Sequence, residues 1–122
     1  MVATRKLLLV EDEIEIQILL GHILSAEGYQ VAPTGTVKSA LYLLDTRPFD
    51  IVVADVNLPD GTGMTIGDKA AEKGIGTVII TGYAFRFEKE DLSRFPYLLK
   101  PLRPPELVSA IEREIARAAP AP

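Results

Sequence analysis

The sequence contains no cysteine and no tryptophan, and it has a single histidine. Without cysteine, disulfide bonds and thiolate metal sites are excluded. Long hydrophobic runs are also missing, because the apolar stretches fall far short of the roughly 20 residues that a membrane-spanning helix needs. The N-terminus lacks the apolar region of a signal peptide. We therefore expect a cytoplasmic protein without membrane partners.

Positive charge is not in excess either, since 13 Lys and Arg face 17 Asp and Glu, for a net charge of -4. This balance argues against a nucleic-acid partner, which would require a broad basic surface. A hydrophobic content of 48% with 25% charged residues is typical of a folded globular protein. The 122 residues are expected to form one domain spanning 1–122, with a frayed tail at 118–122.

Short apolar segments and helix-like segments alternate along the chain. The apolar segments are predicted strands: KLLLV (6–10), YQVAP (29–33), FDIVVAD (49–55), IGTVIITG (75–82) and YLLK (97–100). The segments between them carry helical apolar spacing or helix signals, such as Thr36 as an N-cap and prolines 104 and 105 in the first turn of the last helix. This alternation predicts an α/β fold, an open parallel sheet with helices on both faces.

Polar side chains stand at the ends of four predicted strands: Asp12, Asp55, Thr81 and Lys100. In open parallel sheets, ligands bind beyond the carboxyl ends of the strands. Clustered carboxylates favour a hard cation such as Mg²⁺, which binds oxygen ligands. An aspartate can also act as a nucleophile and form an aspartyl phosphate. The set therefore matches acceptance of a phosphoryl group by Asp55.

Four motifs give this sequence a family resemblance: LLLVEDE, DIVVADVNLPDGTGM, VIITGY and YLLKPL. Together they resemble the receiver domain of two-component response regulators over about residues 6–117. The resemblance implies a flavodoxin-like (CheY-like) doubly wound sheet of five strands in the order 2-1-3-4-5. The end of the chain soon after the last predicted helix favours a stand-alone response regulator, whose output passes through another protein.

The resemblance also implies residue roles. Asp55 would be the phosphorylated aspartate. Asp12 would bind Mg²⁺ (or Mn²⁺) together with Asp55 and the backbone carbonyl of Asn57, and Glu11 would assist.

The remaining implied roles concern the switch. Thr81 and Lys100 would contact the phosphoryl group, Tyr97 would occupy the aromatic switch position, and the bond before Pro101 would be cis. The phosphoryl donor would be a histidine kinase or a phosphotransfer protein, and an unknown downstream protein would read the switched surface. The protein would be a monomer or a phosphorylation-dependent dimer. It would catalyse only its own phosphorylation and dephosphorylation.

The segment between Thr81 and Lys100 departs from the family pattern. It is about three residues shorter than usual and lacks a long amphipathic helix, which predicts a short or irregular fourth helix. It also concentrates aromatic residues: Tyr83, Phe85, Phe87, Phe95 and Tyr97. These residues either pack a loop onto the core or form a partner surface.

Other residues have ordinary structural interpretations. Glu13 is expected to begin a helix and Asp60 to form a turn. His22 is expected to be a surface or hydrogen-bonded residue and not a phosphoryl donor. Ile14 and Ile18 belong either to the core or to a docking face for the phosphoryl donor. Several charged residues are predicted to lie on solvated faces: Lys38, Lys69, Lys73, Glu112, Arg113 and Glu114.

Two other functions share parts of this pattern. A phosphatase of the haloacid dehalogenase group also combines Asp, Thr and Lys at strand ends with Mg²⁺. Such enzymes usually carry a second acidic residue where this chain has Asn57, and they carry a cap domain for which the chain has no room. A degenerate, phosphorylation-independent interaction module is the third hypothesis, and the intact set of Asp12, Asp55, Thr81 and Lys100 argues against it.

Overall fold

A computed structural model describes residues 4–82 and 94–118. The predicted α/β fold is confirmed. The strands are β1 (Lys6–Val10), β2 (Gln30–Thr34), β3 (Ile51–Asp55), β4 (Asn57–Leu58), β5 (Gly61–Thr62), β6 (Gly76–Thr81) and β7 (Tyr97–Leu99). The helices are α1 (Ile14–Ala26), α2 (Val37–Thr46), α3 (Gly63–Glu72) and α4 (Pro104–Ala118). The helix predicted between Thr81 and Tyr97 falls largely outside the described residues, as do Tyr83, Phe85 and Phe87.

The main sheet has five parallel strands in the order β2-β1-β3-β6-β7. This is the predicted order 2-1-3-4-5, because β4 and β5 form a separate two-stranded hairpin. The hairpin occupies the turn-rich segment that follows the third long strand.

Two hydrophobic cores lie on the two faces of the sheet. Leu8, Val10, Val52, Ala54 and Ile79 pack on the face covered by α2 and α3. Leu7, Leu9, Val53, Val78 and Ile80 pack on the opposite face with α1 and α4. Consecutive strand residues point to opposite faces, so a strand buried on both sides must be apolar throughout. This explains the unbroken apolar runs in the sequence.

The helix ends follow the predicted signals. Glu13 is the N-cap residue of α1. Thr36 is the N-cap residue of α2, and its hydroxyl accepts a hydrogen bond from the backbone N–H of Ser39 at 3.1 Å. Gly74 follows α3 with a φ of +72°, a conformation that glycine adopts without a steric penalty.

Candidate phosphoryl-acceptor site

The carboxyl ends of the central strands converge on one cavity of about 350 Å³. It is lined by Asp12, Glu13, Asp55, Asn57, Gly82 and Lys100. Asp55 ends β3, whereas Asp12 and Lys100 follow the last residues of β1 and β7. The parallel register therefore brings together side chains that are up to 88 positions apart in the sequence, from Asp12 to Lys100.

The Asp55 carboxylate is buried, and both of its oxygens are held. Lys100 Nζ lies 2.6 Å from Asp55 Oδ2. The backbone N–H of Asn57 donates to Asp55 Oδ1 at 3.0 Å. Since a charged donor and a neutral donor fix the carboxylate from two sides, its orientation toward the cavity is set before any ligand binds.

Glu11 lies beside Asp55 and is almost completely buried. Its Oε1 is 3.4 Å from Lys100 Nζ. Burial, together with the hydrogen bond and the negative charge of Asp55, raises the pKa of Glu11 to about 8, and the nearby Lys100 only partly offsets this. Burial alone would lower the pKa of Lys100, but the hydrogen bond to Asp55 and the charges of Asp55 and Glu11 outweigh burial and raise it. Two buried carboxyl groups therefore share one ammonium group, and Glu11 keeps its proton up to about pH 8.

The donor set fits a magnesium ion. Glu11, Asp12 and Asp55 each offer a carboxylate oxygen, and these oxygens lie within 4.8 Å of one another. Glu11 and Asp55 are buried, whereas Asp12 is exposed at the mouth of the cavity. Mg²⁺ binds one or two carboxylates and keeps several waters, so an open cavity with three carboxyl groups suits it. Asp12, Asp55 and the Asn57 carbonyl would hold the ion, with Glu11 assisting.

The predicted switch residues lie at different depths. Thr81 ends β6 and is fully buried, and its backbone carbonyl accepts a hydrogen bond from the Lys100 N–H at 2.9 Å. Tyr97 begins β7 and is 43% exposed. The Lys100–Pro101 peptide bond is cis. The roles of these residues stay predictions.

An apolar groove of about 720 Å³ lies between α1 and the segment that follows β7. Its walls include Ile16, Leu19 and Ile23 on one side and Pro101 and Leu102 on the other. On another face of α1, Ile14 is 61% exposed and Ile18 is 54% exposed. Of the two interpretations of Ile14 and Ile18, the structure therefore excludes the core.

Glu114 corrects one prediction. It was expected on a solvated face, but it is buried. Its Oε2 accepts a hydrogen bond from the backbone N–H of Thr77 at 3.2 Å, and Arg117 donates to both carboxylate oxygens at 2.5 and 2.8 Å. Among the described residues, the pairing of β6 with β7 starts at Ile79 and gives Thr77 no strand partner on that edge, and the Glu114 side chain takes its place.

Asp60 does more than form a turn. Its Oδ1 accepts a hydrogen bond from the backbone N–H of Val37 at 2.7 Å, and its Oδ2 accepts one from Lys38 at 2.9 Å. This long-range contact was not predicted, because a turn aspartate carries no signal that names a helix 22 positions away.

The two described aromatic residues near β7 differ: Phe95 fits the interpretation as loop packing, and Tyr97 fits the interpretation as a partner surface. Phe95 is partly buried and packs against the core on the α3 side, with its ring over Gly67. Tyr97 faces solvent with 43% exposure. Within the described part of the chain, Phe95 therefore packs the loop, and Tyr97 is available to a partner.

Comparison with known proteins identifies the class. The response regulator receiver domain family matches residues 7–112. The chain is 33% identical to the regulatory protein VanR of Enterococcus faecium, over 92% of this chain and 50% of that protein. It is 27% identical to sporulation initiation phosphotransferase F of Bacillus subtilis, over 88% of this chain and 91% of that protein. The chain spans about half the length of several of the curated relatives that it matches.

Solved structures agree with the fold. A CheY-like receiver domain protein of Methanospirillum hungatei aligns with a TM-score of 0.84 at 27% identity, covering 95% of this chain and 97% of that chain. The receiver domain of the Pseudomonas aeruginosa sensor histidine kinase PA1611, solved with a magnesium ion coordinated in its active-site cleft, aligns with a TM-score of 0.83 at 23% identity, covering 93% of this chain and 99% of that chain. This chain belongs to the response regulator receiver domain family. Among its described helices, none is both long and apolar enough to cross a membrane.

Proposed function

We propose that this protein accepts a phosphoryl group on Asp55 from a histidine kinase or a phosphotransfer protein, in a Mg²⁺-dependent reaction, and that this switches a protein-binding surface. The observation that carries the proposal is the Asp55 carboxylate, held between Lys100 at 2.6 Å and the Asn57 N–H at 3.0 Å inside an acidic cavity. Family membership supports this function. The cytoplasmic location expected from the sequence stays a prediction.

The chemistry is a displacement at phosphorus. A carboxylate oxygen of Asp55 forms a new P–O bond, while the P–N bond of the donor phosphohistidine breaks and its electron pair stays on the histidine nitrogen. The Lys100 ammonium group places a positive charge beside Asp55, where it can stabilise the negative charge on the phosphoryl oxygens. When bound, Mg²⁺ would neutralise further charge on those oxygens.

The exposed isoleucines support a docking role for α1. Ile14 and Ile18 are exposed in the first two turns of α1, a helix whose N-cap residue, Glu13, lines the acidic cavity. An apolar helix face of a donor protein can bury these side chains while its histidine reaches Asp55.

The switch requires that the new charge moves a partner-binding surface. A phosphoryl group on Asp55 competes for the Lys100 ammonium that now pairs with the carboxylate, and the Thr81 hydroxyl lies at the neighbouring strand end. Tyr97, three residues before Lys100, then repacks, and a partner that prefers one arrangement of β7 and α4 reads the change.

The phosphoryl group should be measured directly. Wild-type protein incubated with acetyl phosphate and Mg²⁺ is expected to gain the mass of one phosphoryl group, and chelation of Mg²⁺ should prevent the gain. Asp55→Asn should gain none, whereas Asp45→Asn, at an exposed aspartate on α2, should behave as wild type. Equal labelling of Asp55→Asn would overturn the proposal. Continuous turnover of small phosphate esters would instead favour the phosphatase.

A further inference from the structure

The N-terminus of α2 is closed by a side chain from the hairpin that follows Asp55. The Asp60 carboxylate accepts hydrogen bonds from the first two helix N–H groups, those of Val37 at 2.7 Å and Lys38 at 2.9 Å. The third N–H, of Ser39, donates to the Thr36 hydroxyl at 3.1 Å. The backbone N–H groups of Lys38 and Val37 lower the pKa of Asp60 below its usual range. A carboxylate is the group that a helix N-terminus favours.

The same hairpin carries Asn57, whose N–H holds Asp55. The hairpin has only two residue pairs, Asn57 with Thr62 and Leu58 with Gly61. An isolated hairpin of this size is not stable in water, so other contacts must fix it. Its turn also rests on the side chain of Val37, since a Cβ at Gly61 would lie 3.3 Å from Val37 Cγ2.

At its base, the hairpin is tied to the end of β3. The backbone N–H of Gly63 donates to the Val56 carbonyl at 3.1 Å. A Cβ at Gly63 would lie only 2.5 Å from the Asp55 carbonyl oxygen, so the chain approaches β3 as closely as glycine allows. The hairpin is therefore fixed at its base by β3 and at its tip by α2.

We propose that Asp60 is a positioning residue for the acidic site: its contact with α2 fixes the hairpin, and the fixed hairpin holds Asn57 against Asp55. The inference rests on the proposed function in that it gives the Asn57 backbone a role in the site. Loss of the Asp60 contact removes the hydrogen bonds that anchor the tip of the two-pair hairpin and leaves the packing of Gly61 against Val37 to hold it. Asn57 then samples other conformations, Asp55 Oδ1 loses its fixed donor, and the Asn57 carbonyl leaves the position predicted for the metal.

The test compares two variants that damage the same helix end. Asp60→Ala removes the link between hairpin and helix, whereas Thr36→Ala removes a cap of α2 and leaves the hairpin untouched. Both are expected to lower the melting temperature. Only Asp60→Ala should accelerate amide hydrogen exchange at Asn57 in the metal-free protein and weaken Mg²⁺ affinity by about tenfold, a typical effect of losing a residue that orients a metal ligand.

Asp60→Asn keeps the shape of the side chain and one carbonyl acceptor, so its amide exchange at Asn57 and its Mg²⁺ affinity should lie between those of wild type and Asp60→Ala. It also provides a folded variant if Asp60→Ala does not fold. Unchanged exchange at Asn57 and unchanged Mg²⁺ affinity in Asp60→Ala, or in Asp60→Asn where only that variant folds, would overturn the inference. So would equal changes in Thr36→Ala. If wild type accepts no phosphoryl group but the exchange pattern holds, the proposed function fails and the positioning role of Asp60 stands.

Discussion

Glu11 and Asp55 show how the local surroundings change individual residues at this site. Two carboxyl groups share a buried corner with one ammonium group, and Glu11 responds by keeping its proton to about pH 8. Its neighbour Asp12 is exposed in the cavity and would have access to a hydrated ion. Three consecutive acidic residues at one strand end thus have three environments: Glu11 is buried, Asp12 lines the cavity mouth, and Glu13 begins α1.

The raised pKa of Glu11 makes the metal-free protein less stable as the pH rises. The folded protein holds the Glu11 proton up to about pH 8, whereas the unfolded chain releases it near the ordinary value of 4.5. Between these values the folded state binds more protons, so the free energy of unfolding falls with increasing pH. Urea denaturation at several pH values in the presence of a chelator measures this slope.

Glu11→Gln is the matched control for the pH dependence. It keeps the shape of the side chain and removes the titrating group, so its stability should fall less steeply between pH 4.5 and 8. An identical slope in wild type and Glu11→Gln would contradict the assignment of the raised pKa to this residue.

At the scale of the elements, the close approach of α3 to β3 sets the position of Asp55. Gly63 begins α3 and leaves no room for a side chain, because a Cβ would lie 2.5 Å from the Asp55 carbonyl oxygen and 3.3 Å from Ile79. Gly21, inside α1, has no atom within 4 Å of such a Cβ. The two glycines therefore serve different purposes, although both lie in helices.

Alanine substitution at the two glycines should have opposite effects. Gly63→Ala is expected to lower the free energy of unfolding by about 1–3 kcal/mol, as overpacking does. Gly21→Ala should raise it by about 0.5–1 kcal/mol, because alanine costs less conformational entropy in a helix. Chemical denaturation of both variants measures the difference. A stabilising Gly63→Ala would show that β3 and α3 can separate without cost.

The sequence predicted the central elements correctly, because β1, β3 and β6 are buried on both faces and so are apolar runs. The burial of Glu114 was not predicted, because Glu114 follows two charged residues on an amphipathic helix and resembles its solvated neighbours. Only the late start of β7, opposite Ile79, leaves the Thr77 N–H for a side chain to pair. Asp60 was missed for a similar reason, since its partners depend on how the hairpin lies against α2.

At the scale of the whole molecule, the parallel sheet places the carboxyl ends of several strands at one edge, where their side chains form one site. The topology brings the ends of β1, β3 and β7 together, and this could be predicted because all parallel strands end at the same edge. The distances within the site could not be predicted. They depend on side-chain packing, such as the hold of Lys100 on both Asp55 and Glu11.

The most direct measurement is the position of the phosphoryl group within the chain. Wild-type protein is phosphorylated with acetyl phosphate and Mg²⁺, the acyl phosphate is reduced with borohydride, and peptide mass spectrometry locates the residue converted to homoserine. Conversion at Asp55 alone is expected, because among the described carboxylates Asp55 is the one held by both Lys100 and the Asn57 N–H. Conversion at Asp12 instead, or at no aspartate of a folded protein, would contradict the assignment of Asp55 as the phosphoryl acceptor.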